Sequence, residues 1–252
     1  MVGSWQRERP NRRYGIMLHI DGDIIAYRIA CAIGDEGEAK AVTWTLNSYV
    51  VKSILQHFPE LTKYHVYLTG GHNFRNEIAV TAPYKGNRTG PKPIHLRAAR
   101  QHMIDFWGAL VYDGIEADDA IATGATRELK EGTVPVIVSL DKDFDQIACD
   151  RYDMVNDVTT SPDQLEATRN LYKQIIMGDA VDNIIGMYLC GKALAAELLD
   201  GLTSELDMAL TVIDQMGYTR AYENAQLVYL RRSLADRFSF PVETKEFLEW
   251  DS

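Results

Sequence analysis

Short, largely apolar runs alternate with stretches of helical spacing through the first 160 positions. IMLHI (16–20) reads as a buried strand, closed at once by the polar DGD, and residues 24–32 follow with helical periodicity. AVTWT (41–45) alternates as a strand does, whereas LNSYVVKSILQHF (46–58) has helical spacing and stops before Pro59. YHVYLT (64–69) is another strand pattern. Residues 70–93 are rich in glycine, proline, asparagine and basic side chains, which predicts a loop or partly ordered excursion. A helix over about 94–106, a strand at ALVY (109–112), a helix at ADDAIATGATRELK (117–130) and a buried strand at VPVIVSL (134–140) follow, with DMVNDV (153–158) as a further strand. This alternation predicts an α/β fold with a mainly parallel sheet. Beyond Pro162 helical patterns dominate to about Phe238, interrupted at IIGMYLCGK (184–192). The expected organisation is a flexible basic tail (1–14), an α/β catalytic domain (15–160), a helical lobe (161–240) and an acidic C-terminal tail (241–252).

Composition narrows the class without changing this picture. A chain of 252 residues with 46% hydrophobic and 25% charged content is ordinary for a globular protein. No run approaches the roughly 20 apolar residues of a membrane span, and IMLHI is too short for a secretion signal. Three widely spaced cysteines, Cys31, Cys149 and Cys190, argue against a disulfide framework and for the cytoplasm. The net charge of −10 is less adverse to a nucleic-acid partner than it first looks: eight carboxylates fall in clusters, and setting those aside leaves −2. Between Arg75 and Arg100, six basic residues (Arg75, Lys85, Arg88, Lys92, Arg97, Arg100) stand against Glu77 alone, as a phosphate-tracking surface would. A solvated helical face is the plainer reading of that span.

The carboxylate clusters are DGD (21–23), EADD (116–119), DKDFD (141–145) and GDAVD (178–182). Asp21 and Asp141 each follow an apolar run, and Glu116 lies just beyond another. In open α/β sheets ligands bind at the carboxyl ends of strands, so these clusters are expected to converge. Asp118 and Asp119 open a helix, where the macrodipole favours negative charge. Asp179 and Asp182, three apart, would share a face on a helical turn. An Asp after a strand is often only a helix cap. Four clusters in one domain are harder to explain so, because the charge repels itself unless a cation compensates it. Oxygen ligands without histidine or cysteine suit Mg²⁺ or Mn²⁺ rather than zinc.

Three other motif readings compete. DKDFDQ begins like a calcium-binding loop, but Gln146 takes the glycine position and Tyr152 that of the closing Glu. GMYLCGKA (186–193) nearly matches a phosphate-binding loop, yet Ala193 replaces the required Ser or Thr. A haloacid-dehalogenase-type phosphatase would use Asp21, Asp23, Ser139, Lys173, Asp179 and Asp182, but LYKQIIMGDAVD looks helical where that fold needs a strand.

Taken in order, DGDIIAYR, PYKGNR, EADD, DKDFD and GDAVDN resemble the flap endonuclease or 5′-nuclease family, over residues 16–199. The resemblance implies a PIN-like α/β domain, a helical arch or loop (about 70–105) over the site, and a C-terminal helix–three-turn–helix lobe on duplex DNA. It implies a metal-dependent nuclease, exonucleolytic from 5′ ends or cutting flaps, with two Mg²⁺ or Mn²⁺ ions per site. Asp21, Glu116, Asp118 and Asp119 would serve mainly one ion, and Asp141, Asp143, Asp179 and Asp182 mainly the second. Lys85 and Arg88 match catalytic contacts to the scissile phosphate. Tyr27 matches a base-stacking aromatic, Arg28 follows as a phosphate contact, Tyr84 is a weaker stacking candidate, and Arg75 and Lys92 are further DNA contacts. The partner implied is DNA with 5′ ends, flaps or nicks, or an RNA hybrid, bound by a monomer in the cytoplasm, a host's if the source is a phage. Two departures stand out. YLTGGHN offers Thr69, Gly70 and Gly71 where the family has an Asp, and of the duplex-binding turn only Gly191 and Lys192 remain. An inactive structure-specific DNA-binding module and a PIN-type ribonuclease are the alternatives.

Overall fold

The computed structural model describes residues 15–34, 37–59 and 61–241, so the expected N-terminal tail and nearly all of the acidic C-terminal tail lie outside the described residues. Strand β1 (Ile16–Asp21) is buried along its length and passes directly into helix α1 (Gly22–Ile33). Gly22 permits this turn. A Cβ there would sit 2.8 Å from the Tyr67 carbonyl oxygen and 2.9 Å from Leu68, so no larger residue fits without displacement.

Helix α2 (Ala39–Thr45), a π-helical turn (Leu46–Val50) and α3 (Val51–His57) form one helical run, so the strand expected at 41–45 is helical. Val42, Leu46, Val50 and Ile54, four residues apart and all buried, form its apolar stripe. That longer period outweighs the local alternation of AVTWT. Strand β2 (Leu61–Asn73), short α4 (Arg75–Ile78), an irregular segment over 79–95 and α5 (Leu96–Trp107) come next. They are followed by β3 (Leu110–Gly114), α6 (Ala117–Lys130), β4 (Val134–Val138), a 3₁₀ turn (Lys142–Gln146), β5 (Asp150–Asp153) and β6 (Val158–Thr160). Of residues 153–158, expected as one strand, 154–157 are instead the turn between β5 and β6, with 153 ending the one and 158 starting the other. The Asp153 carboxylate accepts from the Val155 and Asn156 amides and closes it.

The sheet order is β3-β2-β1-β4-β5-β6, parallel except for the last pairing. Along β1, Leu18 and Ile20 join the apolar layer shared with α1 and α5, while His19 faces Gly124 of α6 on the other side. Helices therefore cover both faces. The remaining elements are α7 (Gln164–Met177), the small hairpin β7 (Gly178–Asp179) and β8 (Ile184–Ile185), α8 (Lys192–Leu198), α9 (Glu205–Met216) and α10 (Tyr218–Val228). These helices enclose a second apolar cluster around Tyr172, Ile176, Leu199, Met208 and Val212. Among the described residues no helix is long and apolar enough to cross a membrane.

Candidate active site

The sheet order reverses at β1 and β4, which places a crevice at their carboxyl ends. Asp21 ends β1, and Asp141 follows β4 by three residues. Ser139 ties the two together: its hydroxyl donates to Asp21 Oδ2 at 2.7 Å and accepts from the Asp141 amide at 3.0 Å. Asp21 Oδ1 also accepts from the Ile24 amide and so caps α1. Asp141 Oδ1 accepts from the Asp143 amide and starts the 3₁₀ turn. Glu116 caps α6, with Asp118 in its first turn. Asp179 and Asp182 enter from the β7–β8 hairpin. They do not share a helical face as expected, because Gly178 ends α7 with φ +64°. The Asp179 carboxylate instead accepts from the Val181 and Asp182 amides, a turn held by its own side chain. Glu116, Asp118, Asp143, Asp179 and Asp182 line one narrow cleft with Arg75 and Tyr84.

Several of these carboxylates hold protons more tightly than usual. Burial, and then the Asp141 charge, push the Asp21 carboxyl up to about 6 against the bonds from Ile24 and Ser139. Asp118 is raised well above the carboxylate range by burial and by Asp21, Glu116 and Asp141. Burial and the charges of Asp141, Asp179 and Asp182 raise Asp143 to about 8. Like charges are gathered here.

The basic segment supplies part of the counter-charge. Lys85 Nζ pairs with Glu116, and Asp182 Oδ2 is 3.5 Å away; Arg88 pairs with Asp182. Lys85 has a left-handed backbone (φ +55°), uncommon for a non-glycine residue and fixed here by its amide donating to the Asp182 carbonyl at 2.8 Å. Tyr84 is not available for stacking as expected. It is buried, and its hydroxyl bridges Glu116 Oε2 at 2.8 Å and Asp182 Oδ2 at 2.7 Å.

Arg75 departs furthest from expectation. It is 1% exposed, so it offers no surface to DNA. Its guanidinium forks onto Asp119 at 2.6 and 2.9 Å and donates to the Leu227 and Tyr229 carbonyl oxygens. Burial opposes its charge, but Asp119 more than offsets this and the group stays protonated. Asp119 in turn also accepts from the Glu116 and Arg231 amides, so each of its oxygens already takes two donors. That leaves no lone pair for the direct metal contact expected of it.

Of the other basic residues in the span, Arg100 is tied to Asp23 and the Thr69 carbonyl, while Lys92 and Arg97 are exposed. The expected phosphate-tracking surface is thus largely paired within the chain. Thr69, in the region where the family's Asp was missing, turns its hydroxyl to the Ala117 amide at 2.9 Å. Tyr27, half exposed, and Arg28 flank a surface depression with Cys31. Gly191 and Lys192 are exposed at the start of α8. Ser139 and Arg75 hold roles in the site that their local sequence does not mark. The donor set is all hard oxygen, which fits Mg²⁺ or Mn²⁺ chemically. Among the described residues, no three of these side chains close on one point as a metal's ligands would.

A family model for the 5′-3′ exonuclease, N-terminal resolvase-like domain matches residues 16–175. The flap endonuclease Xni of Shewanella putrefaciens is 28% identical over 249 residues, covering 91% of this chain and 93% of that protein. Its counterpart in Shewanella sp. strain ANA-3 is 30% identical over 193 residues, 72% of this chain and 74% of the other. The flap endonuclease of bacteriophage T5, solved in a pseudo-enzyme-product complex with DNA and metal ions, superposes with a TM-score of 0.63. It is 18% identical, over 85% of this chain and 89% of that one, a likeness of fold. With the parallel sheet, the carboxylates at its switch point and the family match in agreement, this chain belongs to the flap endonuclease, or 5′-nuclease, family.

Proposed function

We propose that this protein is a divalent-metal-dependent nuclease that hydrolyses DNA phosphodiester bonds at 5′ ends or flaps. The observation that carries this reading is the gathering of buried, mutually repelling carboxylates at the β1/β4 crevice, with Lys85 and Arg88 against them. Asp21, Asp118, Asp141, Asp143 and Asp179 would hold two Mg²⁺ or Mn²⁺ ions, joined by Glu116 and Asp182 once their cationic partners turn to substrate. Divalent ions bound there supply Lewis-acid stabilisation and ease ionisation of the attacking water.

The chain's own residues then place the substrate. Lys85 Nζ and the Arg88 guanidinium exchange Glu116 and Asp182 for the non-bridging phosphate oxygens, where negative charge builds in the transition state. Tyr27 stacks on a terminal base, an interaction of about 1–3 kcal/mol that tolerates any sequence, and Arg28 meets a phosphate. Lys92, Gly191 and Lys192 contact the duplex backbone, and the helices of 161–240 form the lobe that grips it. The water oxygen bonds to phosphorus as it gives up a proton to solvent, and the bond to the 3′ oxygen breaks as that oxygen takes up a proton from solvent. The products carry 5′-phosphate and 3′-hydroxyl ends.

The phosphatase alternative loses support, since Asp23 is ion-paired with Arg100 and bonded to the Thr69 amide, and the segment before GDAVD is helical. Cleavage of a 5′-labelled flapped duplex in Mg²⁺, with chelator and Ca²⁺ controls, tests the proposal. Metal-dependent cuts at the junction or from the 5′ end are expected. Retained binding without cleavage would favour the inactive binding module instead.

A further inference from the structure

Residues 79–88 are not free to swing. Asn183 Nδ2 donates to the Pro83 carbonyl at 2.9 Å, the Lys85 amide donates to the Asp182 carbonyl, and Asn87 donates to the Ala180 carbonyl at 2.6 Å. Upstream, the attachment is a carboxylate. Glu223, in the middle of α10 and largely buried, accepts from two successive amides, Val80 at 2.8 Å and Thr81 at 2.7 Å, through Oε1. Its Oε2 accepts from the Thr81 hydroxyl, and Arg220 one turn away donates to that same hydroxyl. Burial works to raise the Glu223 carboxyl, but the bonds from Thr81 and Val80 outweigh it and hold the group below the usual range, so it is the anion that these donors bind. One residue on, Asn224 donates to the Ile175 and Ile185 carbonyls, fixing α10 against the hairpin that carries Asp182. Helix α10 therefore grips both sides of the contact between Lys85 and Asp182.

We infer that Glu223 is a positioning residue: it clamps the 80–81 amides so that Lys85, four residues on, is delivered to the carboxylate cleft in its left-handed conformation. A lysine with positive φ is held only where its surroundings over-determine it, and Glu223 supplies one of the upstream restraints. The role rests on the nuclease reading for its catalytic consequence but not for the clamp itself. Nothing in the local sequence TRAYENA marks Glu223, because its partners lie more than 140 positions away.

The test combines catalysis with a measurement that needs none. Glu223→Ala is expected to slow single-turnover cleavage of flapped DNA by about 10–100-fold, the scale of a small misplacement of a catalytic group, with affinity in Ca²⁺ changed less than about twofold. Glu223→Gln keeps an oxygen that accepts from both amides and is expected within about threefold of wild type. In a Lys85→Ala background Glu223→Ala should cost less than about threefold, since the residue acts through Lys85. Amide exchange at Val80 and Thr81 should be at least about tenfold faster in Glu223→Ala than in wild type. Equal losses with and without Lys85, or unchanged exchange at these amides, would overturn the inference. Should wild type cut no DNA, the nuclease reading fails, and exchange alone then decides whether the clamp exists.

Discussion

The carboxylates of the cleft divide into two groups by what faces them. Among the described residues, Asp21, Asp118, Asp141, Asp143 and Asp179 have no lysine or arginine within ion-pair distance, and burial and mutual repulsion raise the first four. Glu116, Asp119 and Asp182 are each held by a cation of the 75–88 segment, namely Lys85, Arg75 and Arg88. The first group is charge that the chain gathers without compensating it, which only a proton or a bound cation relieves. The second is charge that the chain has already matched. Neutralising a member of the first should therefore damage chemistry and leave stability intact. Breaking a pair of the second should strand a charge.

The sharpest break in this comparison is Arg75→Gln. It leaves Asp119 buried without its counter-ion and two carbonyl oxygens short of a donor, and is expected to cost about 3–5 kcal/mol of folding stability. Denaturant unfolding measures this. If stability were unchanged while the salt dependence of DNA binding weakened by about one phosphate contact, Arg75 would be a surface ligand after all.

Asp143→Asn probes the opposite group. Single-turnover cleavage should fall by on the order of a thousandfold, about 4 kcal/mol, as for loss of a transition-state electrostatic contact. The thermal midpoint should hold or rise, because the wild type folds only by burying a repelled charge at Asp143 or by taking up a proton there. Wild-type turnover would take Asp143 out of the site. A midpoint that falls steeply would instead place it with the compensated group.

Lys85→Ala lies between the two groups, since its amine faces both Glu116 and Asp182 yet is proposed to move to phosphate. A loss of about a hundredfold in single-turnover rate is expected, with DNA affinity in Ca²⁺ nearly unchanged. An effect confined to affinity would make Lys85 an anchor and leave the charge on the transferring phosphate to Arg88.

The carboxylates of both groups are legible in the sequence, but the pairing of the second with cations is not. Asp21 and Asp141 sit where apolar runs end, and the parallel sheet brings such positions together whatever the intervening chain does. The strands at 16–20 and 134–138 were readable for the same reason: a buried parallel strand needs an unbroken apolar run. The burial of Arg75 is not legible, because a basic residue in a basic segment looks solvated and its partner Asp119 stands 44 positions away. Glu223 was invisible on the same ground. Asp179 and Asp182 are legible by type, but their three-residue spacing suggests a helical turn, whereas Gly178, with its positive φ, turns the chain into a hairpin. AVTWT alternates over only five residues, too short a run to outweigh the four-residue spacing of buried positions from Val42 to Ile54.

The smallest expected effect lies beneath the uncompensated group. His19, two residues before Asp21, is fully buried under Gly124, where a Cβ would approach the imidazole to 2.7 Å. Its Nδ1 shares a 2.7 Å hydrogen bond with the Tyr67 hydroxyl, while Nε2 is buried with no partner among the described residues. Burial, opposed by Glu128 and aided by His65 and Arg127, lowers the imidazole to about 4 from 6.5. The neutral form is therefore the one that folds. As pH drops below 6.5 the unfolded chain takes up the proton first, so stability is full above 6.5 and is lost progressively toward 4. Between pH 7.5 and 5.5 this amounts to roughly 1.3 kcal/mol. The carboxylates with raised proton affinity have the opposite sign, because protonation relieves them as pH falls. Urea unfolding of wild type and His19→Asn at the two pH values separates the two contributions: the variant should lose less stability on acidification by about that amount. Parallel pH profiles would mean that His19 takes up its proton alike in the folded and unfolded chain, and that the imidazole is not held neutral in the sheet.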